Sequence, residues 1–452
     1  MDFLQPLTRH VVAPVWAAWE RSPYLRHYRE LKRTQFDSPT AIRDRQLVKL
    51  RELTSHAFNT CSYYRALFDA IGLKPRDIRN FDDFCAVPLL TKQTIRERGQ
   101  DLLSSDYRGA QLHQKKTSGS TGVPLTVQVD EPAMQFKRAC TLRSDEWSGW
   151  RLGQRAAKIW GNPEYVKFGW RGRLRNWLLD RSLYLDTLLM TDAALADFAA
   201  RLRRERPGLI FGHAHSVYLF AKFLLASGTA PVRPNGIITT AMVLHDWQRQ
   251  VIEEVFACPV TNRYGCEEVS LIASECEAHT GLHVNADGLY VEVVANGRPA
   301  EPGEPGAVVI TDLVNRAMPL LRYKVGDVAV WSGRRCVCGR GLPLLDKLEG
   351  RESDYVTTEA GELISGISLT ENFALHVPGV AQMQIVQESR TQFRFRMVRD
   401  NSFGDDSLER LRFLVHERFG PNVLYELEFL DEIPQEPSGK YRFCISKVPV
   451  TI

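Results

Sequence analysis

Between Leu209 and Tyr264, short apolar runs alternate with amphipathic segments, and this alternation leaves few folds open. Leu209-Ile210-Phe211-Gly212 and Ile237-Ile238-Thr239 read as buried strands. Val217 to Leu225 predicts a helix stopped by Gly228, and a helix bearing Trp247, Val251, Ile252 and Val255 leads on to Val260. Upstream, Leu195, Phe198, Ala199 and Leu202 share one face of a helix that Asp192 is expected to cap and Pro207 to end. Strands separated by helices of this length imply parallel βαβ units, hence an α/β fold.

The texture changes along the chain. Ser38-Pro39-Thr40 starts a helix that carries Ile42, Leu47, Leu50, Leu53 and Ala57. Leu125 to Val129 reads as a strand, and Phe136, Leu142 and Trp147 belong to a following helix. From Leu289 strand follows strand (Leu289 to Val294, Ala307 to Thr311, Val328 to Trp331), which suggests a β-rich subdomain over about 270–348. Past Gly350, strands at Val380 to Val386, Phe393 to Val398 and Leu424 to Phe429 flank a helix with Leu408, Leu411, Val415 and Phe419, closed by Gly420. At 452 residues the chain exceeds what one core usually supports. The expected division is a large N-terminal domain, 1–348, and a small, mobile α+β C-terminal domain, 349–452.

Composition removes several function classes. The net charge is +4 with both signs interspersed, which argues against a nucleic-acid binder. No run of eighteen apolar residues suggests a transmembrane segment, and Pro14 interrupts the Val11 to Trp19 run, which makes a poor signal peptide. Packing onto the body is the expectation for Val15, Trp16 and Trp19, with peripheral membrane contact the lesser reading. Nine scattered cysteines do not look like a disulfide framework, so a cytoplasmic location is expected.

Thr117-Ser118-Gly119-Ser120-Thr121-Gly122 concentrates hydroxyls and glycines in one loop before a strand. Hydroxyls donate to phosphate oxygens, and a glycine lets backbone N–H groups approach an anion with no Cβ in the way. Alone, such a cluster is an ordinary turn. Downstream, however, come Tyr264-Gly265-Cys266-Glu267-Glu268, Arg322 to Asp327, Gly350-Arg351-Glu352-Ser353-Asp354 and Pro437-Ser438-Gly439-Lys440, in that order. The ordered series resembles the acyl-adenylate-forming superfamily, in its phenylacetate-CoA ligase and CapK-like branch, over nearly the whole chain.

The resemblance implies activation of a carboxylic acid by ATP with AMP as product. Thr117, Ser118, Gly119, Ser120, Thr121 and Gly122 match the phosphate loop, although Leu125 stands where many relatives carry lysine; Lys115 and Lys116 are candidates to compensate. Glu268 matches the magnesium-binding acid, with Tyr264 and Gly265 beside the adenine, and Glu267 replaces the family's threonine. Thr240-Ala241-Met242 falls where relatives hold small residues, and often an acid, near the adenine, which makes Ala241 a candidate contact. Asp327 matches the ribose-binding aspartate and Arg351 the arginine that contacts the nucleotide. Ser353 stands at the hinge where relatives often have Asp or Lys. Lys440 matches the catalytic lysine at the α-phosphate. The implied sequence is adenylation, loss of pyrophosphate, and a rotation of the C-terminal domain that admits an acceptor.

Cys276, His283, Cys336 and Cys338 form a second constellation. Three thiolates and an imidazole suit a closed, structural zinc site, and are equally what scattered free cysteines look like in a sequence. Relatives in the resembled branch carry a Cys3His zinc site in this region, which favours zinc.

Trp160, Gly161, His213, His215 and Ser216 could line an acyl pocket or simply be satisfied core residues. Three functions follow: an acid-CoA ligase using coenzyme A; a ligase passing the acyl group to an amine or hydroxyl; or a nucleotide-binding scaffold without catalysis. The partners are then a small carboxylic acid and an acceptor nucleophile. The oligomeric state stays open, a homodimer included.

Overall fold

A computed structural model describes residues 4–117, 125–160, 169–187, 189–351, 355–359, 363–365, 369, 373, 376–433, 442 and 444–448. The chain divides into two compact units. The first comprises Met1–Glu292, Val309–Val325 and Trp331–Asp346; the second comprises Val293–Val308, Gly326–Val330 and Lys347–Ile452.

In the first unit, β1 (His113–Thr117) and β2 (Leu125–Val129) form an antiparallel hairpin, with Thr117 opposite Leu125. The main sheet contains β3 (Ala156–Trp160), β4 (Ser182–Asp186), β5 (Leu209–His213), β6 (Gly236–Thr240) and β7 (Val260–Cys266). They run parallel in the order β4-β3-β5-β6-β7. β8 (Ser270–Glu275) and β9 (Leu282–Val284) continue the sheet antiparallel. The sheet is mixed α/β, as the alternating pattern requires: all five residues of β6 are buried, since helices must carry the chain back between parallel neighbours.

Those helices are Asp192–Glu205, Ala214–Ala226 and Asp246–Phe256. Phe198, Leu202, Val217, Phe220, Ile252 and Phe256 pack with Ile159, Ile210 and Ile237 in one core. The first helix corrects the expected cap. Thr191, in extended conformation, accepts from the Ala194 N–H at 3.3 Å, while Asp192 is the first helical residue. A hydroxyl one position earlier satisfies the orphan donor, and the Asp192 carboxylate remains beside the positive end of the helix.

N-terminal helices lie against this body. Ser38 caps helix Pro39–Thr60 through the Ala41 N–H. Tyr64 Oη donates to the Pro319 carbonyl at 2.9 Å and accepts from the Leu321 N–H at 3.0 Å. Asp130, after β2, accepts from the N–H groups of Ala133, Arg316 and Ala317. One carboxylate thus caps helix Glu131–Asp145 and pins the backbone at Arg316 and Ala317.

In the second unit, β17 (Val380–Ser389), β18 (Gln392–Arg399), β19 (Leu424–Phe429) and β20 (Cys444–Ser446) form a sheet in the order β19-β18-β17-β20. Helix Asp405–Phe419 crosses from β18 to its parallel neighbour β19. Phe393 stacks on Phe419 at 4.3 Å between ring centres, inside a core with Phe395, Leu411 and Val415. Strands β10 (Leu289–Ala295), β12 (Pro305–Asp312) and β13 (Tyr323–Trp331) lie where the sequence suggests, except that β13 begins five residues earlier than the Val328 expected. Among the described residues, no helix is long and apolar enough to cross a membrane.

Candidate functional site

The parallel strands end in a common row, the edge at which α/β sheets hold their ligands. β6 ends at Thr240, and Ala241 follows in the left-handed region at φ 66°. A non-glycine residue there is strained unless its surroundings hold it, and such positions concentrate at binding sites. Thr239 lies opposite Asn262, so two residues farther along each chain come Ala241 and the buried Tyr264.

β7 turns into β8 through Glu267-Glu268-Val269, with Gly265 opposite Leu271 across a register shift. A Cβ on Gly265 would sit 2.7 Å from the Ser270 carbonyl oxygen, so the close return of β8 requires glycine. The two adjacent acids take opposite surroundings. Glu268 is 3% exposed and accepts from Tyr323 Oη at 2.7 Å. Glu267 points outward and meets Lys115 Nζ, on the strand entering the Thr117 loop, at 3.8 Å. The β1–β2 hairpin is therefore brought to the β7–β8 turn.

Arg322 sets Tyr323 in place. Its backbone is left-handed at φ 49°, and its guanidinium is buried against Glu292 at 3.0 Å and the carbonyls of Cys85 and Val87. Burial pushes the Glu292 carboxyl up, against the opposing pull of Arg322. Backbone bonds from Leu90 N to Arg322 O and from Lys324 N to Leu90 O, 2.9 Å each, clamp the residues on either side of Tyr323.

Leu125 is 1% exposed and faces the core side of β2. Thr117 closes β1. Ser118, Gly119, Ser120, Thr121 and Gly122, together with Gly161, Ser353 and Lys440, lie outside the described residues, as does the Arg351 side chain; the Arg351 backbone ends β14 (Leu344–Arg351). Asp327 lies within β13 in the second unit, half-buried, directly after Gly326 at φ 90°.

Trp160 and His213 end neighbouring strands, with ring centres 4.1 Å apart, and Phe211, two residues before His213, stacks on Trp160 at 5.4 Å. His213, His215 and Ser216 are buried. Gln248 Nε2 lies 3.1 Å from His215 Nδ1; an amide nitrogen only donates, so Nδ1 accepts. Burial, reinforced by the charge of His245, holds the His215 imidazole down to about 4. Sequence reasoning missed Phe211, His245 and Gln248 here, and gave Tyr323 no role.

Cys276, His283, Cys336 and Cys338 place one ligand atom each within 4.8 Å of one another. Cys276 Sγ is 3.6 Å from Cys336 Sγ, and Cys338 Sγ is 3.3 Å from His283 Nε2. Zn–S bonds of about 2.3 Å in a tetrahedron separate ligand sulfurs by about 3.8 Å, so the donor set fits zinc. Outer contacts complete it. Ala278 N–H donates to Cys276 Sγ, and His283 Nδ1 lies 3.4 Å from the Leu342 carbonyl, leaving Nε2 toward the thiolates. Burial holds the His283 imidazole down to about 4, in the neutral form that ligates metals.

Residues 356–447 match the family described as the CapK C-terminal domain. The chain is similar to Protein CapK of Staphylococcus aureus, 22% identical over 94% of this chain and 93% of that protein. It is also similar to a phenylacetate-coenzyme A ligase of Thermus thermophilus, 24% identical over 70% of this chain and 71% of that one. Among solved structures, 2-hydroxyisobutyryl-CoA ligase in the postadenylation state superposes with a TM-score of 0.70 at 22% identity, covering 89% of each chain. The fold is that of adenylate-forming ligases.

Proposed function

We propose that this chain, which belongs to the acyl-adenylate-forming superfamily and within it to the CapK and phenylacetate-CoA ligase branch, activates a carboxylic acid with ATP and passes the acyl group to coenzyme A. In the first step a carboxylate oxygen attacks the α-phosphorus and pyrophosphate leaves. In the second, the thiol attacks the acyl carbon of the adenylate, releasing AMP. The observation that carries this reading is the sorting of the two acids after β7: Glu268 buried against Tyr323, Glu267 turned out to Lys115.

Each candidate residue then has a task. Glu268 would hold magnesium, which supplies charge neutralisation to the phosphates. The Tyr323 phenol donates to Glu268 Oε1 and so orients the carboxylate that would hold the metal. Tyr264 and the strained Ala241 would bound the adenine; Asp327, by the family resemblance alone, would accept from the ribose hydroxyls. The hydroxyls and glycines of 117–122 would donate to the phosphates, with Lys115 as the nearby cation. Arg351 would contact the nucleotide and Lys440 the α-phosphate; both assignments rest on the family resemblance. Trp160 and His213 would face the acyl group. The Cys3His set would hold zinc as a staple between the 276–283 and 336–338 segments, with no open position for substrate.

Because the proposed reaction consumes ATP and coenzyme A, which are intracellular cosubstrates, we place the protein in the cytoplasm. A second reading keeps the adenylate and changes the acceptor to an amine or hydroxyl, favoured by the fuller coverage of the CapK relative, 94% of the chain against 70%. Pyrophosphate release across a panel of acids, with and without coenzyme A, decides. A thioester product supports coenzyme A as acceptor. Adenylate turnover indifferent to coenzyme A transfers the proposal to the second acceptor, and no pyrophosphate with any acid defeats both.

A further inference from the structure

Of the three residues expected to pack onto the body, Trp16 is half-buried while Val15 and Trp19 are exposed, which departs from that expectation. The N-terminal segment runs as helix Leu4–Leu7, a π-turn Thr8–Val12 and helix Ala13–Trp19. Ala13 and Ala17 are buried, while Leu7, Val11, Val15 and Trp19 are exposed at successive i, i+4 positions, each a neighbour of the next along the helix surface. Helix Trp170–Arg175 and its π-turn Asn176–Asp180 lie alongside. Thr8 Oγ1 donates to the Leu178 carbonyl at 3.0 Å, and Arg175 reaches Glu20 at 3.0 Å. This second helix exposes Trp170 and Trp177.

Seven of the sixteen large apolar side chains exposed among the described residues fall in these two short segments, including all three exposed tryptophans, at 61–68%. That is too concentrated for the scattered apolar exposure normal on a soluble surface. The charge around them is net positive. Residues 4–21 and 169–181 contain six arginines, of which Arg181 is buried, and two acids, and Arg175 engages both acids, Glu20 at 3.0 Å and Asp180 at 3.2 Å. Arg21 and Arg173 stand exposed.

We infer that this paired-helix face lies on the surface of a bilayer containing anionic lipid. Tryptophan is suited to the headgroup layer, where its ring meets hydrocarbon and its N–H meets water. Helices that lie in the interface plane combine such an apolar face with flanking arginines for lipid phosphates. A second copy fits less well, because a two-fold contact through this patch would set arginines against arginines. The inference is independent of the reaction catalysed.

The test is co-sedimentation of the full chain with phosphatidylcholine vesicles, with and without phosphatidylglycerol, at low and high salt. Binding is expected to the anionic vesicles, weakening severalfold with salt. Trp19→Ala with Trp177→Ala should lower the partition coefficient at least tenfold, and Arg173→Glu about fivefold or more on anionic vesicles only. Thermal unfolding checks that each variant is folded. Should the double variant not fold, quenching of the native protein's tryptophan fluorescence by brominated lipid reads the same contact. Absence of binding to anionic vesicles, binding unchanged in the folded double variant, no quenching by brominated lipid, or loss of a dimer on that substitution without any vesicle association would each overturn the inference.

Discussion

The phenol of Tyr323 donates to the carboxylate of Glu268 across 2.7 Å, and both groups are buried. A carboxylate at 3% exposure needs a partner for its charge, and the phenol supplies one while leaving a second oxygen for a cation. Tyr323→Phe removes the donor without opening a cavity. It should destabilise the first unit by about 1–3 kcal/mol and raise the magnesium concentration needed for half-maximal pyrophosphate release. Glu268→Gln should abolish that release, whereas Glu267→Gln should reduce it only modestly. Equal losses from the two substitutions would mean that the outward acid shares the metal.

The Cys3His set predicts about one equivalent of zinc in protein purified without chelator. Cys338→Ser removes a ligand near the surface and should lower both the zinc content and the unfolding temperature, the latter by about 5–10 °C. Because the site is closed, pyrophosphate release should persist in the variant below its transition. Selective loss of turnover with unchanged thermal stability would point instead to a catalytic metal.

His215 gives stability a pH dependence of definite sign. Its pKa is about 4 in the folded chain and 6.5 as the ordinary value, so between these pH values the unfolded chain binds the extra proton. The stabilisation is complete above pH 6.5 and shrinks as pH falls toward 4. Between pH 7 and pH 5 the loss attributable to His215 should be about 2 kcal/mol. Urea midpoints for the native protein and His215→Phe at the two pH values measure it. A pH slope equal in both proteins would show that the imidazole is not the titrating group.

Periodicity made most of the scaffold legible. Leu125 to Val129 is a strand with the expected bounds, and the helices and strands from Leu209 to Val260 stand where their apolar spacing puts them. What escaped was non-local or polar. Tyr323 and Glu268 are 55 residues apart, and no local pattern pairs them. β13 hid its start because Lys324 and Gly326-Asp327 break the apolar run, while Leu90 supplies the backbone bonds that extend it. Thr191 and Asp192 are both good caps, and only backbone conformation decides between them. Val15 and Trp19, exposed here, read as packing onto the body, since a sequence carries no sign of which side of an apolar helix finds a neighbour.

Leu125 and Lys115 supply the last prediction, because the substitution of leucine for a familial lysine looks in sequence like a lost cation. Restoring lysine should not restore charge to the loop. At 1% exposure, on the core face of β2, an ammonium group would be buried without a partner, so Leu125→Lys should cost about 3 kcal/mol or more and gain no turnover. Lys115 is the available cation, a quarter exposed and 3.8 Å from Glu267. Lys115→Ala should therefore lower pyrophosphate release several-fold with little change in unfolding temperature, since a partly exposed ion pair contributes at most about 1 kcal/mol. Steady-state kinetics at varied ATP separates the outcomes. A raised KM for ATP in Lys115→Ala places the ammonium group near the phosphates, and unchanged kinetics would leave the pair with Glu267 as its entire role.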